Sequence, residues 1–376
     1  MLTHAVREIF RTNLGIKKDE KVLVFTDKPS GNEDVSANDL GRWERLEDIA
    51  LLIQETGRGF AGDIIYQVYP SRKGHGVEPP SNLWKSAFGD KTVKKLEEAK
   101  LLKPVIGKRA SGRKIAAAEK IIDRYKDKAV DAVIALSNYS TSHTRFRDFL
   151  TRICGTRYAS MPLFDIGMFE GAMNVDWKAL ARRTNALARI VSRAEVIEVN
   201  TPNGTHIRLS KEGRRPLTDT GILQKPGSFG NLPAGEVFLA PVEGTANGKL
   251  VLDWAPTYRL DSPVVLTITD GECADVEGED RFAGLLKERL SARKENRNIA
   301  ELGIGTNDRA TRPDNILESE KILGTIHIAL GDNSSFGGTV KTPFHQDFVF
   351  FRPTVVLIDR NGTKTLLMKS GRLRAV

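Results

Sequence analysis

The chain reads as an α/β plus α+β protein. An N-terminal α/β domain with a parallel sheet is expected over residues 1–194, and a C-terminal β-rich, metal-binding domain over residues 195–376. Three observations predict this. The first half alternates short apolar runs with amphipathic stretches, the pattern of a parallel sheet covered by helices. From about Glu195 onward, three Asn-Gly pairs separate β-rich runs, which is the sequence signature of hairpins. Histidine is scarce, six in all, yet two histidines sit among carboxylates near the C-terminus.

Taken in order, MLTHAVREIFRTNLGIKKDEK predicts an amphipathic helix with Val6, Ile9, Phe10 and Leu14 on one side. KVLVFTD (21–27) is a buried-strand candidate, followed by a helix from about Ser36 to Gln54. DIIYQVYP (63–70), AVDAVIALSN (129–138) and SMPLFDIG (160–167) are the next strand candidates, with helices at TVKKLEEAK and IAAAEKIIDRY between them. The helix Asp176–Ala194 is expected to carry the chain out of the first domain. Hairpins are expected around Asn203–Gly204, Asn247–Gly248 and Asn361–Gly362, interrupted by a helix over Arg281–Glu295. Lys211–Leu232, with Pro216, Pro226 and several glycines, is a loop-rich approach to Glu236. Gly57-x-Gly59-x-x-Gly62 matches a dinucleotide fingerprint in letters only. It follows a helix and precedes a strand, the reverse of the working order, and reads as a helix stop.

Bulk properties exclude several classes. A hydrophobic share of 40% with 28% charged residues belongs to a globular protein, and 376 residues suit two domains. No apolar run approaches the roughly 18–20 residues of a membrane span, and the N-terminus lacks a secretory h-region, so neither a membrane nor a secretory route is expected. Cys154 and Cys273 are far apart and form no C-x-x-C pair; no disulfide is expected, and the cytoplasm is the expected compartment. The net charge of +9 is dispersed among acids. The basic stretch Lys103–Lys128 is poor in aromatics and reads as a solvated helix face, so no nucleic-acid partner is expected.

The chemistry-bearing residues are Glu236 in GEVF, Glu301 in ELGIG, His327 in TIHIALG, and His345 and Asp347 in HQD. His, Asp and Glu make the ligand set of borderline metals such as zinc or cobalt. Residues two apart in a strand share a face, so His345 and Asp347 can meet one ion or two. Alternation puts Thr325, His327 and Ala329 on one face and Ile326, Ile328 and Leu330 on the other. Each glutamate is attached to an apolar run, where an unpaired charge is costly. A metal ion or an arginine or lysine partner would answer that cost, and each glutamate alone reads as an ordinary ion-pair partner. The metal hypothesis depends on convergence. No Gly-x-Ser-x-Gly elbow and no H-E-x-x-H are present.

NLPAGEVFLAP, AELGIGTN, LGTIHIALGDNSSFGG and FHQD, in that order across residues 231–347, resemble the thermophilic aminopeptidase family of metallopeptidases, the aminopeptidase T and S group. The resemblance implies an N-terminal α/β domain, a C-terminal metal domain, a homodimer and two divalent ions, zinc, cobalt or manganese, used to release N-terminal residues from peptides. Carried over by motif, Glu236, Glu301, His327, His345 and Asp347 would be the ligands. Glu301 and Glu320 would be the catalytic carboxylates, with Glu320 in LESEKILGT taken for a glutamate that the family places shortly before the first histidine. Two departures stand out: Ser334 occupies the place of a tyrosine about seven residues after that histidine, and the span from His327 to His345 is shorter than the family's.

A competing reading uses the same residues. His327, His345 and Asp347 also fit the facial triad of non-haem iron oxygenases, and the same fold group resembles ring-cleaving dioxygenases of the dihydroxypyridine kind. Retention of Glu236 and Glu301 leads the sequence reading to prefer the two-metal hydrolase. A third reading is a non-enzymatic binding protein that uses the basic N-terminal domain.

Overall fold

The structure, a computed structural model, describes residues 2–31, 33, 35 and 37–374. The chain divides into two units, Met1–Asn174 with Gly221–Pro233, and Val175–Thr220 with Ala234–Val376. The class is mixed α/β, with a parallel-sheet region followed by a β-rich region of antiparallel sheets.

In the first unit, β1 (Lys21–Lys28), β2 (Asp63–Pro70), β3 (Ala132–Ala135) and β4 (Arg157–Ser160) pair in parallel in the order β2-β1-β3-β4. Every residue of β3 and β4 is buried, as expected of a sheet covered on both faces. The opening helix Leu2–Glu8 runs into a π-helical turn, Ile9–Asn13, and Val6, Ile9, Phe10 and Leu14 are all buried. The next helix spans Ala37–Gly57; Ser36, where it was expected to begin, lies outside the described residues. One strand expectation is corrected. SMPLFDIG is not a strand beyond Ser160: Leu163 takes a positive φ and Ile166–Phe169 forms a 3-10 turn. Its apolar residues Met161, Phe164, Met168 and Phe169 are buried all the same, so the sequence signal was burial rather than extension.

The helix Trp177–Val191 follows directly on the first segment of the first unit and belongs to the second unit. Leu187 and Val191 lie in the second unit's core. The Asp176 side chain accepts from the Ala179 N–H and so caps its start. The chain then forms β5 (Val196–Asn200), β6 (His206–Ser210) and β7 (Leu217–Asp219), and returns to the first unit for β8 (Phe229–Asn231), which pairs in parallel with β4. The remaining strands belong to the second unit: β9 (Glu236–Leu239), β10 (Asn247–Trp254), β11 (Arg259–Thr269), β12 (Glu272–Glu277), β13 (Ile299–Gly305), β14 (Ile326–Gly331), β15 (His345–Phe350), β16 (Thr354–Ile358), β17 (Lys364–Lys369) and β18 (Arg372–Leu373).

Two antiparallel sheets result, β12-β11-β10-β6-β5-β16-β17-β18 and β15-β14-β13-β9-β7. The hairpins at Asn203–Gly204 and Asn361–Gly362 form as β5–β6 and β16–β17. The hairpin expected around Asn247–Gly248 does not form, because β9 and β10 lie in different sheets. Gly248 serves another purpose there. It packs against β6 so closely that a Cβ would stand 2.2 Å from the His206 carbonyl oxygen.

One face of the β15-β14-β13-β9-β7 sheet is apolar. Val237, Leu239, Leu302, Ile304, Ile326, Ile328, Leu330, Phe348 and Phe350 join residues of the larger sheet, such as Leu250 and Leu266, in a single buried cluster. The opposite face carries the candidate site.

Candidate metal site

Strand pairing places the candidate residues side by side. Across the sheet Glu301 pairs with Ala329, which pairs with Asp347; Gly303 pairs with His327; Gly331 pairs with His345; and Gly305 pairs with Glu236. With a side-chain period of two, all of these share one face. The register shifts between Ile299 and Glu301, a bulge that lets Ile299 and Leu302 both point into the core while Glu301 points to the site. Glycines on this face permit close approach: of the Ile322 backbone at Gly305, of the Phe344 backbone at Gly331, and of a site side chain at Gly303. The closest fit is at Gly303, where a Cβ would lie 2.0 Å from both Nε2 and Cε1 of His327.

The six residues singled out from the sequence, Glu236, Glu301, Glu320, His327, His345 and Asp347, all reach this place. Three groupings of ligand atoms lie within 4.8 Å of one another: Glu236, Glu301 and His327; Glu301, His345 and Asp347; and Glu320, His327 and Asp347. Glu301 stands between the imidazoles, its Oε1 3.3 Å from His327 Nε2 and its Oε2 3.5 Å from His345 Nε2. Asp347 Oδ2 is 3.6 Å from His345 Nε2, and Glu236 Oε2 is 3.4 Å from His327 Nε2.

Two ligand atoms each about 2.1 Å from one ion stand about 3.0–3.4 Å apart, longer than a strong charge-assisted hydrogen bond. The two separations at His327 fall in that range, and the two at His345 lie just beyond it. Glu236 Oε2 and His327 Nδ1 are buried without a hydrogen-bond partner among the described residues. His345 Nδ1 lies 2.7 Å from the Asp332 carbonyl oxygen. A carbonyl only accepts, so Nδ1 donates, and in the neutral ring Nε2 keeps its lone pair toward the carboxylates. That is the backbone-anchored tautomer usual for a metal-bound histidine.

The electrostatics point the same way. Burial opposes charge on both histidines, but Glu301, Glu236 and Asp347 override it and hold His327 up at about 9. Asp347 and Glu301 likewise hold His345 up at about 10. Burial works to raise Asp347 as well, yet the adjacent His345 and His327 hold its carboxyl well below the usual range. Glu301 moves upward, chiefly because it is buried and partly because Asp347 is close. Burial also lifts Glu320, to about 8. The cluster concentrates negative charge and draws protons onto its imidazoles, as a site for a divalent cation would.

Two participants were missed in the sequence. Lys321, fully buried, places Nζ 2.6 Å from Glu236 Oε1 and 2.6 Å from Glu320 Oε1. Its only sequence signal is its position beside Glu320. Phe336 sits on the loop between β14 and β15, edge-on to His345 at 5.9 Å and to Phe238 at 5.8 Å. Ser334, in the position where the resemblance implies a tyrosine, is exposed and bonds to the Asp332 carboxylate.

Residues 172–365 match the family described as NicX: 2,5-dihydroxypyridine 5,6-dioxygenase, a span that includes every candidate ligand. The structure of a 2,5-dihydroxypyridine dioxygenase from Pseudomonas putida KT2440 superposes with a TM-score of 0.68 at 18% identity, covering 100% of this chain and 97% of that one. Wild-type AmpT from Thermus thermophilus superposes with a TM-score of 0.58 at 16% identity, covering 99% and 98%. No curated protein matches the chain. At these identities both structures speak to the fold alone. The expectation of a metallo-aminopeptidase is corrected by the family match, which indicates an oxidoreductase and not a hydrolase of peptide bonds. Residue types of the ligand kind do not by themselves separate a hydrolase from an oxidoreductase, since one fold hosts many activities.

Proposed function

Because the chain belongs to the NicX, 2,5-dihydroxypyridine 5,6-dioxygenase family, we propose that it is a metal-dependent oxidoreductase that opens a dihydroxylated aromatic ring with dioxygen, the ring being 2,5-dihydroxypyridine or a close relative. His327, His345 and Asp347 hold the ion in this reading, the two-histidine, one-carboxylate set used by non-haem iron oxygenases. The observation that carries it is the convergence of these three side chains around Glu301, on one sheet face within the matched span.

Iron(II) bound there would supply the activation of dioxygen and of a ring hydroxyl. The chain's own residues account for the rest. The Asp332 carbonyl fixes the orientation of the His345 ring. Glu301, its carboxyl raised by burial, is suited to take the proton that a ring hydroxyl gives up on binding. Phe336, half-buried beside His345, offers an aromatic edge to a flat substrate.

The test is anaerobic loading with iron(II), then dioxygen uptake with 2,5-dihydroxypyridine. Uptake matched to loss of the ring, and abolished in His345→Ala, is the expected result. A folded, iron-loaded protein that consumes no dioxygen with any dihydroxypyridine or catechol would end this reading.

A further inference from the structure

The carboxylate cluster already contains a cation. Lys321 is fully buried, and its Nζ bonds to one oxygen each of Glu236 and Glu320 at 2.6 Å. An ammonium held by two charge-assisted bonds in a dry environment is a fixed positive charge, unlike a surface lysine that swings in water.

The ammonium divides the cluster. Of the three groupings of ligand atoms, two include a carboxylate bound to Lys321: Glu236 with Glu301 and His327, and Glu320 with His327 and Asp347. The third, Glu301 with His345 and Asp347, includes none. Both carboxylates bound to the ammonium, Glu236 and Glu320, thus stand outside the grouping at His345, and each shares its own grouping with His327.

We propose that Lys321 is a built-in counter-cation that occupies the second cation position of this cluster, so that the protein binds one divalent ion where the same carboxylates without the lysine would bind two. The proposal rests on the metal-binding part of the reading above, and on nothing about the reaction. It accounts for the retention of Glu236 and Glu320 in a one-ion site: they neutralise the lysine, and the lysine in turn keeps them from recruiting metal.

The test is a count. The full-length protein, stripped of metal, is dialysed to saturation against manganese(II) or zinc(II), and the bound metal is measured by elemental analysis. Wild type should hold about one equivalent per chain, and Lys321→Met about two. The added ion should disappear in the double variant Lys321→Met, Glu236→Gln. About two equivalents in wild type would overturn the proposal, as would a folded Lys321→Met that still holds one. Should Lys321→Met fail to fold, Glu236→Gln decides beside the wild-type count. At saturation it should still hold about one equivalent, and a folded Glu236→Gln that holds none would make Glu236 a ligand and sink the idea. The count requires no turnover. One ion without dioxygen uptake would fail the ring-opening reading alone, and no ion under any loading would fail both.

Discussion

Gly303 lies beneath the imidazole of His327, so closely that a Cβ at Gly303 would stand 2.0 Å from the ring's Nε2. The two residues are cross-strand partners on β13 and β14. The glycine is required for space: a methyl group there displaces the ring. Gly303→Ala should cost about 1–3 kcal/mol of stability through overpacking and should weaken metal binding at least tenfold, read by thermal unfolding and by metal titration. Unchanged affinity would mean that the ring is not a ligand.

Metal binding should strengthen with pH. His327 at about 9 and His345 at about 10 carry protons in the metal-free protein at neutrality, and an ion must displace them. Affinity should rise from pH 6 to pH 9 with proton release, measurable by calorimetry in buffers of different ionisation enthalpy. Binding without proton release would contradict the assignment.

The same shifts set the pH dependence of folding without metal. Both histidines have folded-state pKa values above the unfolded value near 6.5. Their contribution to stability is full below about 6.5 and is lost as pH rises through 9 and 10. Urea unfolding with a chelator should show stability falling over that range, with the fall reduced in His345→Gln. A flat profile would argue against both shifts.

Phe336→Ala should leave the metal count unchanged and raise KM several-fold, since Phe336 touches the ring of His345 edge-on and is not a ligand. A lost ion, or an unchanged KM, would place the residue outside substrate binding.

Ile328 offers a contrast from the other face of the sheet. It is fully buried in the core, one residue from His327. Ile328→Ala should cost about 2–5 kcal/mol, read by urea unfolding, while the variant that remains folded keeps its metal. Loss of the ion from folded protein would show that the two faces are coupled.

Much of this was legible in the sequence because alternation is a local property. The strands at 21–28 and 63–70 and the hairpin at Asn203–Gly204 follow from it, and so does the shared face of His345 and Asp347. What stayed hidden was tertiary. The register shift that turns Glu301 toward His327 has no sequence mark, and Gly303 looks like any glycine in a strand. Lys321 looks like a surface lysine until folding brings Glu236 to it. The apolar residues around Phe164 signalled burial, which a compact loop satisfies as well as a strand does. The enzyme class was not legible because His, Asp and Glu serve metal-dependent hydrolases and oxygenases alike.

The candidate ligands come from neighbouring strands of a single sheet, with Glu301, Ala329 and Asp347 in one row and Gly331 and His345 in another. A slip of one residue in any of these pairings would turn that strand's ligands into the apolar core and its core residues out to the site. An ion that binds only when the rows align therefore acts as a proofreader of strand register. Chains that have zipped up wrongly cannot hold it, and only the correctly paired sheet gains the stabilisation that binding confers.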